Sequence, residues 1–417
     1  MEIQRDVYLN RLIDRRGNGS IKIVTGIRRC GKSYLLFKLY YDYLRACGID
    51  DSRIIRVALD DDEHDDLLDA KRLGEYVRAR IAGEDTHYVF LDEVQFVENF
   101  EKVLNGLNRI PNLDVYVTGS NSRFLSSDIL TEFRGRGDEV RVYPLSFSEY
   151  ISAYEGSAQD AWMDYYTYGG LPLILTRRTD ELKTRYLADL FAKVYLDDIS
   201  ERNNLRSNNV MEALTSVLAS SVGSLTSPLK LANAFKSSGN NAVTDKTVSA
   251  YIGFLLDSFL ICKAERYDVK GKRYISSPCK YYFTDVGLRN ARLNFRQQEE
   301  NHIMENIIFN ELLVRGFGVD VGVVEYHGKS GEGKHISKKL EIDFVCNKGS
   351  QRYYIQSAFA MPDDEKMRQE QASLTRISDS FKKIVVVKDS IKAWRNEEGI
   401  LIMGIQEFLL DKNSLDA

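Results

Sequence analysis

Residues 26–36 read GIRRCGKSYLL, directly after the β-branched, apolar run IKIVT at 21–25. A short buried strand, a glycine turn and then SYLLFKLYYDYL at helical spacing is the setting in which G-x-x-x-x-G-K-[ST] cradles phosphates. The backbone N–H groups of such a loop face the anion where the helix begins. The nucleotide-binding stretch is then Gly26, Ile27, Arg28, Arg29, Cys30, Gly31, Lys32, Ser33 and Tyr34. Lys32 is expected to reach the β- and γ-phosphates of ATP, and Ser33 to offer its hydroxyl to Mg2+. Cys30 reads as a small residue filling a gap in the loop. The pattern also arises by chance, so its neighbours decide.

The first neighbour is YVFLDEVQ at 88–95, an apolar strand ending in two acids. Asp92 suits the Mg2+ shell beside Ser33, and Glu93 suits the base that polarises attacking water. A strand that merely ends in a charged turn is the plainer alternative. RIIRVALDDD (53–62) is another strand, and the run DDDEHDD (60–66) reads as a solvated loop rather than a metal site. LDVYVTGSNSRFL (113–125) adds a strand whose polar end would set Ser120 or Asn121 beside the γ-phosphate. Beyond it, Arg134 and Arg136 flank a glycine. One of them either reaches the phosphates of a neighbouring subunit as an arginine finger or pairs with Asp138 or Glu139.

Taken together, GIRRCGKS, YVFLDEVQ, VTGSNSRFL, FRGRGDEVRVYPLSFSEY and YGGLP resemble a family of prokaryotic AAA-like P-loop ATPases that carry a conserved C-terminal domain of undefined role. The resemblance covers nearly the whole chain, with the motifs in the family's order. It implies an α/β fold whose ATPase core, residues 1–155, is a parallel five-stranded sheet with an extra catalytic glutamate. It also implies a small helical lid at 156–206, where Gly169-Gly170 and Pro172 interrupt an aromatic helical stretch. The glycine pair is either a hinge or a helix stop.

Residues 207–297 have the plan of a winged helix-turn-helix. Helical patterns at VMEALTSVLASSVG, PLKLANAFKSSG and TDKTVSAYIGFLLDSFLI precede two β-like runs joined by Lys-Gly-Lys-Arg. Thr244 or Asp245 can cap the last helix. Residues 207–298 hold twelve Lys/Arg against six Asp/Glu. Lys246 on that helix, with Lys270, Lys272, Arg273 and Lys280 around the wing, would meet DNA phosphates without reading sequence. The rival for this module is protein docking.

Residues 298–417 follow a restriction-endonuclease-like α/β plan: a helix with Glu305, then EIDFV with Asp343, then IQSA. In that core an acid and a lysine close the motif, but here Gln356 and Ala358 stand in their places. Without the lysine, water activation is not supplied locally, so the nuclease site reads as degenerate unless Lys348 or Lys366 moves in.

The composition bounds the rest. The 417 residues are 43% hydrophobic and 28% charged, with a net charge of −4, which suits a soluble chain of several domains. The five cysteines and five histidines lack metal-ligand spacing. No run is long enough to span a membrane, and the charged start lacks a signal-peptide core, so a cytoplasmic location is expected. The expectation is an ATP-hydrolysing, DNA-associated motor or switch, acting on branched or forked DNA as an oligomer. A slow ATPase switch signalling to a protein partner and an ATP-regulated nuclease are the rivals.

Overall fold

A computed structural model describes residues 3–119, 136–205, 208–237, 239, 242–296, 299–329, 335–359 and 364–416. They form two compact units, Met1–Pro144 with Asp257–Phe259, and Leu145–Leu256 with Leu260–Ala417. Among the described residues no helix is long and apolar enough to cross a membrane.

The first unit is built on five parallel strands: β1 (Ile21–Thr25), β2 (Ile54–Ala58), β3 (His87–Asp92), β4 (Leu113–Gly119) and β5 (Gly137–Arg141). Their order is β2-β3-β4-β1-β5. Both faces of the sheet are covered, which is why β1, β3 and β4 are buried at every position rather than at alternate ones. Val89, Leu91, Val115 and Val117 pack with Leu73, Val77, Leu104 and Leu107 on one such face. The register sets Leu91 opposite Val117 and Thr25 opposite Gly119. The carboxyl ends of β1, β3 and β4 therefore lie side by side, where open α/β sheets place their ligands.

The interior of this sheet is not wholly apolar. Lys22, the second residue of β1 and fully buried, donates to Asp114 of β4. Tyr116 donates to the other Asp114 oxygen at 2.8 Å, as does Gly17 N at 3.0 Å. The two charges are paired, and both Asp114 oxygens accept hydrogen bonds, which eases the cost of burying them.

The second unit joins helices to an eight-stranded mixed sheet. Its strands are β6 (Ile261–Asp268), β7 (Arg273–Phe283), β8 (Gly318–Lys329), β9 (His335–Lys348), β10 (Gln351–Ala358), β11 (Lys382–Val387), β12 (Trp394–Arg395) and β13 (Leu401–Gly404). They run in the order β12-β13-β11-β10-β9-β8-β6-β7. The three helices expected upstream are present at Asn209–Ser220, Pro228–Ser237 and Asp245–Asp257. Thr244 caps the last of them, accepting from Thr247 N at 3.1 Å. The hairpin β6–β7, read from sequence as a wing, continues the C-terminal sheet, because β6 pairs in parallel with β8.

Gly169 and Gly170 end the helix Ala158–Tyr168 against a buried carboxylate. Asp285 accepts from Gly170 N at 2.8 Å and from Leu288 N at 3.0 Å. Burial pushes its pKa up to about 6, against the pull of these N–H groups. Gly169 has φ 75°, and a Cβ there would lie 2.2 Å from Asp285 Oδ1. Of the two sequence readings, helix stop and hinge, this geometry is that of a stop.

Candidate functional site

The phosphate loop leaves β1 at Thr25. Gly26 has φ 141°, and a Cβ on it would lie 2.1 Å from Val142 O, so only glycine admits the chain that follows β5. Arg29 and Gly31 also take positive φ, 65° and 98°. A helix starts at Lys32–Tyr34 and runs on through a π-type stretch, Leu35–Tyr40, to Tyr41–Ala46. The helix opens directly from the loop, the setting in which unpaired N–H groups of a first turn meet an anion.

Lys32 is only 4% exposed. Its ammonium donates to the loop's own carbonyls, Gly26 O at 3.2 Å and Ile27 O at 3.4 Å, and lies 3.9 Å from Glu93 Oε1. Ser33 is exposed at the loop mouth and hydrogen-bonds Asp92. Burial raises the Asp92 pKa, while hydrogen bonds from Thr118 and Ser33 oppose the rise. The reading of Cys30 is matched in kind: it is fully buried, its Sγ lies 3.5 Å from Val142 O, and burial pushes its thiol up.

Glu93 occupies a left-handed backbone conformation, φ 48° and ψ 48°. This is uncommon for a residue with a side chain and clusters at functional sites. The conformation turns the chain sharply after β3. Its N–H donates to Thr118 Oγ1 at 2.9 Å, and the same hydroxyl donates to Asp92 Oδ1. Thr118 thus ties the two acids to β4. Gln95 Nε2 donates to Glu93 Oε2. The set brings together an ammonium, a hydroxyl beside a carboxylate, and a second carboxylate held by an amide. Hard oxygen donors of the Ser33 and Asp92 kind fit Mg2+, and the loop with Lys32 fits a triphosphate.

Sequence reasoning missed two supports. Arg5, 2% exposed, donates to Cys30 O at 3.0 Å and Tyr143 O at 2.6 Å, and so braces the loop from the N-terminal segment. No local signal marks it, because both partners are backbone carbonyls far along the chain. Thr118 did carry a signal: a hydroxyl at the carboxyl end of a strand next to the Asp92 strand. Ser120, Asn121 and Arg134 lie outside the described residues. Arg136 is described; its carbonyl accepts from Ile21 N at 2.8 Å and its side chain is exposed.

A second cluster lies in the other unit and corrects the assignment of Lys280. Expected on a DNA-facing wing, Lys280 is instead 2% exposed. Its ammonium lies 2.8 Å from Glu305 Oε1, 2.7 Å from Glu341 Oε1 and 3.3 Å from Asp343 Oδ1. The reason is where cover begins: β7 is exposed over its first residues, but its last five, 279–283, are all buried, and position 280 falls within that covered half. Burial opposes the ammonium charge, yet Tyr282, Glu305, Asp343 and Glu341 hold its pKa well above the ordinary value.

Glu305 and Asp343 are therefore brought together as expected, and Gln356 accepts weakly from Asp343 N at 3.4 Å. The lysine that meets these acids comes from β7, while position 358 is an alanine. Neither Lys348, which donates to Arg315 O, nor Lys366, which pairs with Glu370, enters the cluster. Lys246, Lys270, Lys272 and Arg273 are exposed; Arg273 lies 3.3 Å from Asp268.

Residues 18–151 match the family model described as an AAA domain. Residues 159–299 match a domain of unknown function (DUF8612). An uncharacterized protein of Haemophilus influenzae is 33% identical over 390 residues, covering 92% of this chain and 93% of the relative. One from Methanocaldococcus jannaschii is 26% identical over 393 residues, covering 90% and 82%. Among solved structures, the Aeropyrum pernix ORC1 protein in complex with DNA shares 13% identity at a TM-score of 0.30, over 70% of this chain and 92% of that one.

Proposed function

We propose, since this chain belongs to the family of the Haemophilus influenzae protein and carries an AAA domain, that it is an ATP-hydrolysing switch that works on DNA. Its α/β fold, with a parallel five-stranded sheet, is a P-loop AAA-like core. The observation that carries the reading is the convergence of Lys32, Ser33, Asp92 and Glu93 at the ends of β1 and β3.

The loop N–H groups and the helix start would hold the triphosphate. Lys32 would exchange its carbonyl partners, Gly26 O and Ile27 O, for phosphate oxygens. Ser33 and Asp92 would hold Mg2+, which when bound neutralises charge on the phosphates. Glu93 accepts a hydrogen bond from the attacking water and takes its proton as the new O–P bond forms. Arg136 is exposed beside the start of β1, a position suited to reaching the nucleotide of a second copy in an oligomer.

The DNA side rests on Lys246, Lys270, Lys272 and Arg273, all exposed within a locally basic segment. They lie on the third helix and the hairpin of the winged-helix plan, at residues 207–297. Phosphate contacts of this kind orient a duplex without sequence preference, and forked or branched DNA, as in repair, recombination or defence, is the substrate class we assign. The test is the ATPase rate with linear, forked and four-way DNA across a salt titration. Stimulation that fades with salt supports the reading, because phosphate contacts release counterions. A measurable basal rate that no DNA changes transfers the same engine to the rival, signalling to a protein partner. A Lys272→Ala/Arg273→Ala pair is expected to weaken DNA binding and to lower the log–log salt slope by up to about 2. Arg273 contributes the smaller part, since Asp268 already holds it. An unchanged affinity and slope would remove the hairpin from the DNA interface.

For the restriction-endonuclease-like segment, residues 298–417, we assign a structural role to the carboxylate cluster. Lys280 sits among the three acids and supplies the counter-charge that a metal would otherwise bring. Mg2+-dependent DNA cutting that disappears in Asp343→Ala would overturn this assignment.

A further inference from the structure

Gln95 lies two residues beyond Glu93, and its side-chain amide is divided in its bonding. Nε2 donates to Glu93 Oε2. Its other end, Oε1, is buried and has no hydrogen-bond partner among the described residues. A buried carbonyl oxygen without a donor is costly, and such atoms in native proteins call for an explanation. Reversing the amide does not remove the difficulty, because it would set Oε1 against the Glu93 carboxylate. The orientation is fixed by the acid, so the orphaned acceptor is fixed with it.

The surroundings show how tightly the neighbouring acid is held. Glu93 is held at three points: its N–H on Thr118, Oε2 on Gln95, and Oε1 3.9 Å from the Lys32 ammonium. Its left-handed backbone fixes where the side chain leaves the strand end. Gln95 leaves the short turn Val94–Phe96, which packs over that end through buried Val94. A buried donor-seeking oxygen therefore belongs to the same amide that holds the group assigned as base.

We propose that Gln95 is the second water-holding group of the ATPase site: Nε2 fixes the Glu93 carboxylate, and Oε1 accepts one O–H of the attacking water while Glu93 accepts the other. This rests on the ATPase reading above. In the step, a lone pair of the water oxygen forms the bond to the γ-phosphorus. The bond from that phosphorus to the β,γ-bridging oxygen breaks, and its electron pair leaves on ADP. The proton facing Glu93 passes to the carboxylate. The proton facing Gln95 stays on the oxygen that becomes part of inorganic phosphate. Two acceptors at fixed positions leave a lone pair, rather than an O–H, directed at phosphorus, which is how orientation lowers a barrier.

The test is Gln95→Met in the full-length protein, which keeps the length of the side chain and removes both polar atoms. Turnover is expected to fall about 10²-fold, with KM and the affinity for a fluorescent ATP analogue within about threefold. The affinity for ADP with aluminium fluoride, whose bound form includes the in-line water, should fall with turnover. Gln95→Glu, which keeps an acceptor oxygen but loses the donor to Glu93, should recover part of that affinity. Wild-type turnover in Gln95→Met overturns the proposal. So does a fall in ATP affinity and melting temperature that matches the loss of turnover, since that is the mark of a merely structural residue. Lys32→Ala separates the two layers. If it is inactive while Gln95→Met is normal, only the role of Gln95 fails; if wild type neither binds nor turns over ATP, the ATPase reading fails.

Discussion

A Glu93→Gln variant should bind ATP at least as tightly as the wild type and hydrolyse it about 10²–10⁴-fold more slowly, the range that removing a general base produces. The substitution is nearly isosteric, so the turn after β3 and the hydrogen bond from Glu93 N to Thr118 should persist. What is lost is the group able to take a proton from water. The salt-bridge partner of Lys32 is lost with it, but that pair spans 3.9 Å and the ammonium keeps Gly26 O and Ile27 O. Binding therefore has no reason to weaken. Lys32→Ala should behave in the opposite way, losing affinity and turnover together, because that side chain meets the phosphates in the ground state and the transition state alike. Equilibrium binding of a fluorescent ATP analogue, read beside phosphate release, separates the two. A full rate in Glu93→Gln would move the base elsewhere, and unchanged hydrolysis in Lys32→Ala would remove the loop from the reaction.

This division also explains why the first site was legible in the sequence. A phosphate loop is a local object: strand, glycines, lysine and hydroxyl lie within thirteen residues, and the sheet supplies Asp92 and Glu93 from a strand that carries its own signature. The buried Lys22–Asp114 pair was not legible, since nothing within IKIVT shows which strand would offer its lysine a carboxylate. Only the sheet order, which sets β4 beside β1, gives that lysine a carboxylate. Lys280 failed for a related reason. Its spacing from Lys272 and Arg273 suggested one basic hairpin, but β7 is exposed over its first half and buried over its last five residues. Charge along a strand does not reveal where cover begins. Glu341 stood in the quoted EIDFV motif, yet only Lys280, meeting it from another strand at 2.7 Å, makes it a partner.

The same cluster yields the largest expected change in stability. Lys280→Met removes the ammonium from among Glu305, Glu341 and Asp343 while roughly keeping the length of the stem. Breaking a buried ion pair from one side costs about 3–5 kcal/mol, because the remaining charge is left uncompensated. The loss should depend on pH in a definite sense. Burial raises Glu305 to about 7 even with Lys280 beside it. An acid whose folded pKa is raised contributes stability below its unfolded value, near 4.5, and loses it as the pH rises through about 7. Without the ammonium that penalty deepens, so the deficit of the variant should be smaller near pH 5, where Glu305 is neutral, than near pH 8. Lys280 itself adds no slope there, since its pKa is raised well above the ordinary value and it stays charged throughout. Both tryptophans, Trp162 and Trp394, belong to the unit that holds the cluster, so tryptophan fluorescence during urea unfolding reports on it directly. Adding Glu305→Gln to Lys280→Met should recover part of the loss by deleting one buried carboxylate. A deficit that is absent would mean that the three carboxylates do not depend on Lys280, and would reopen the cluster to a metal-binding role; one equal at pH 5 and pH 8 would remove Glu305 as the source of the pH dependence.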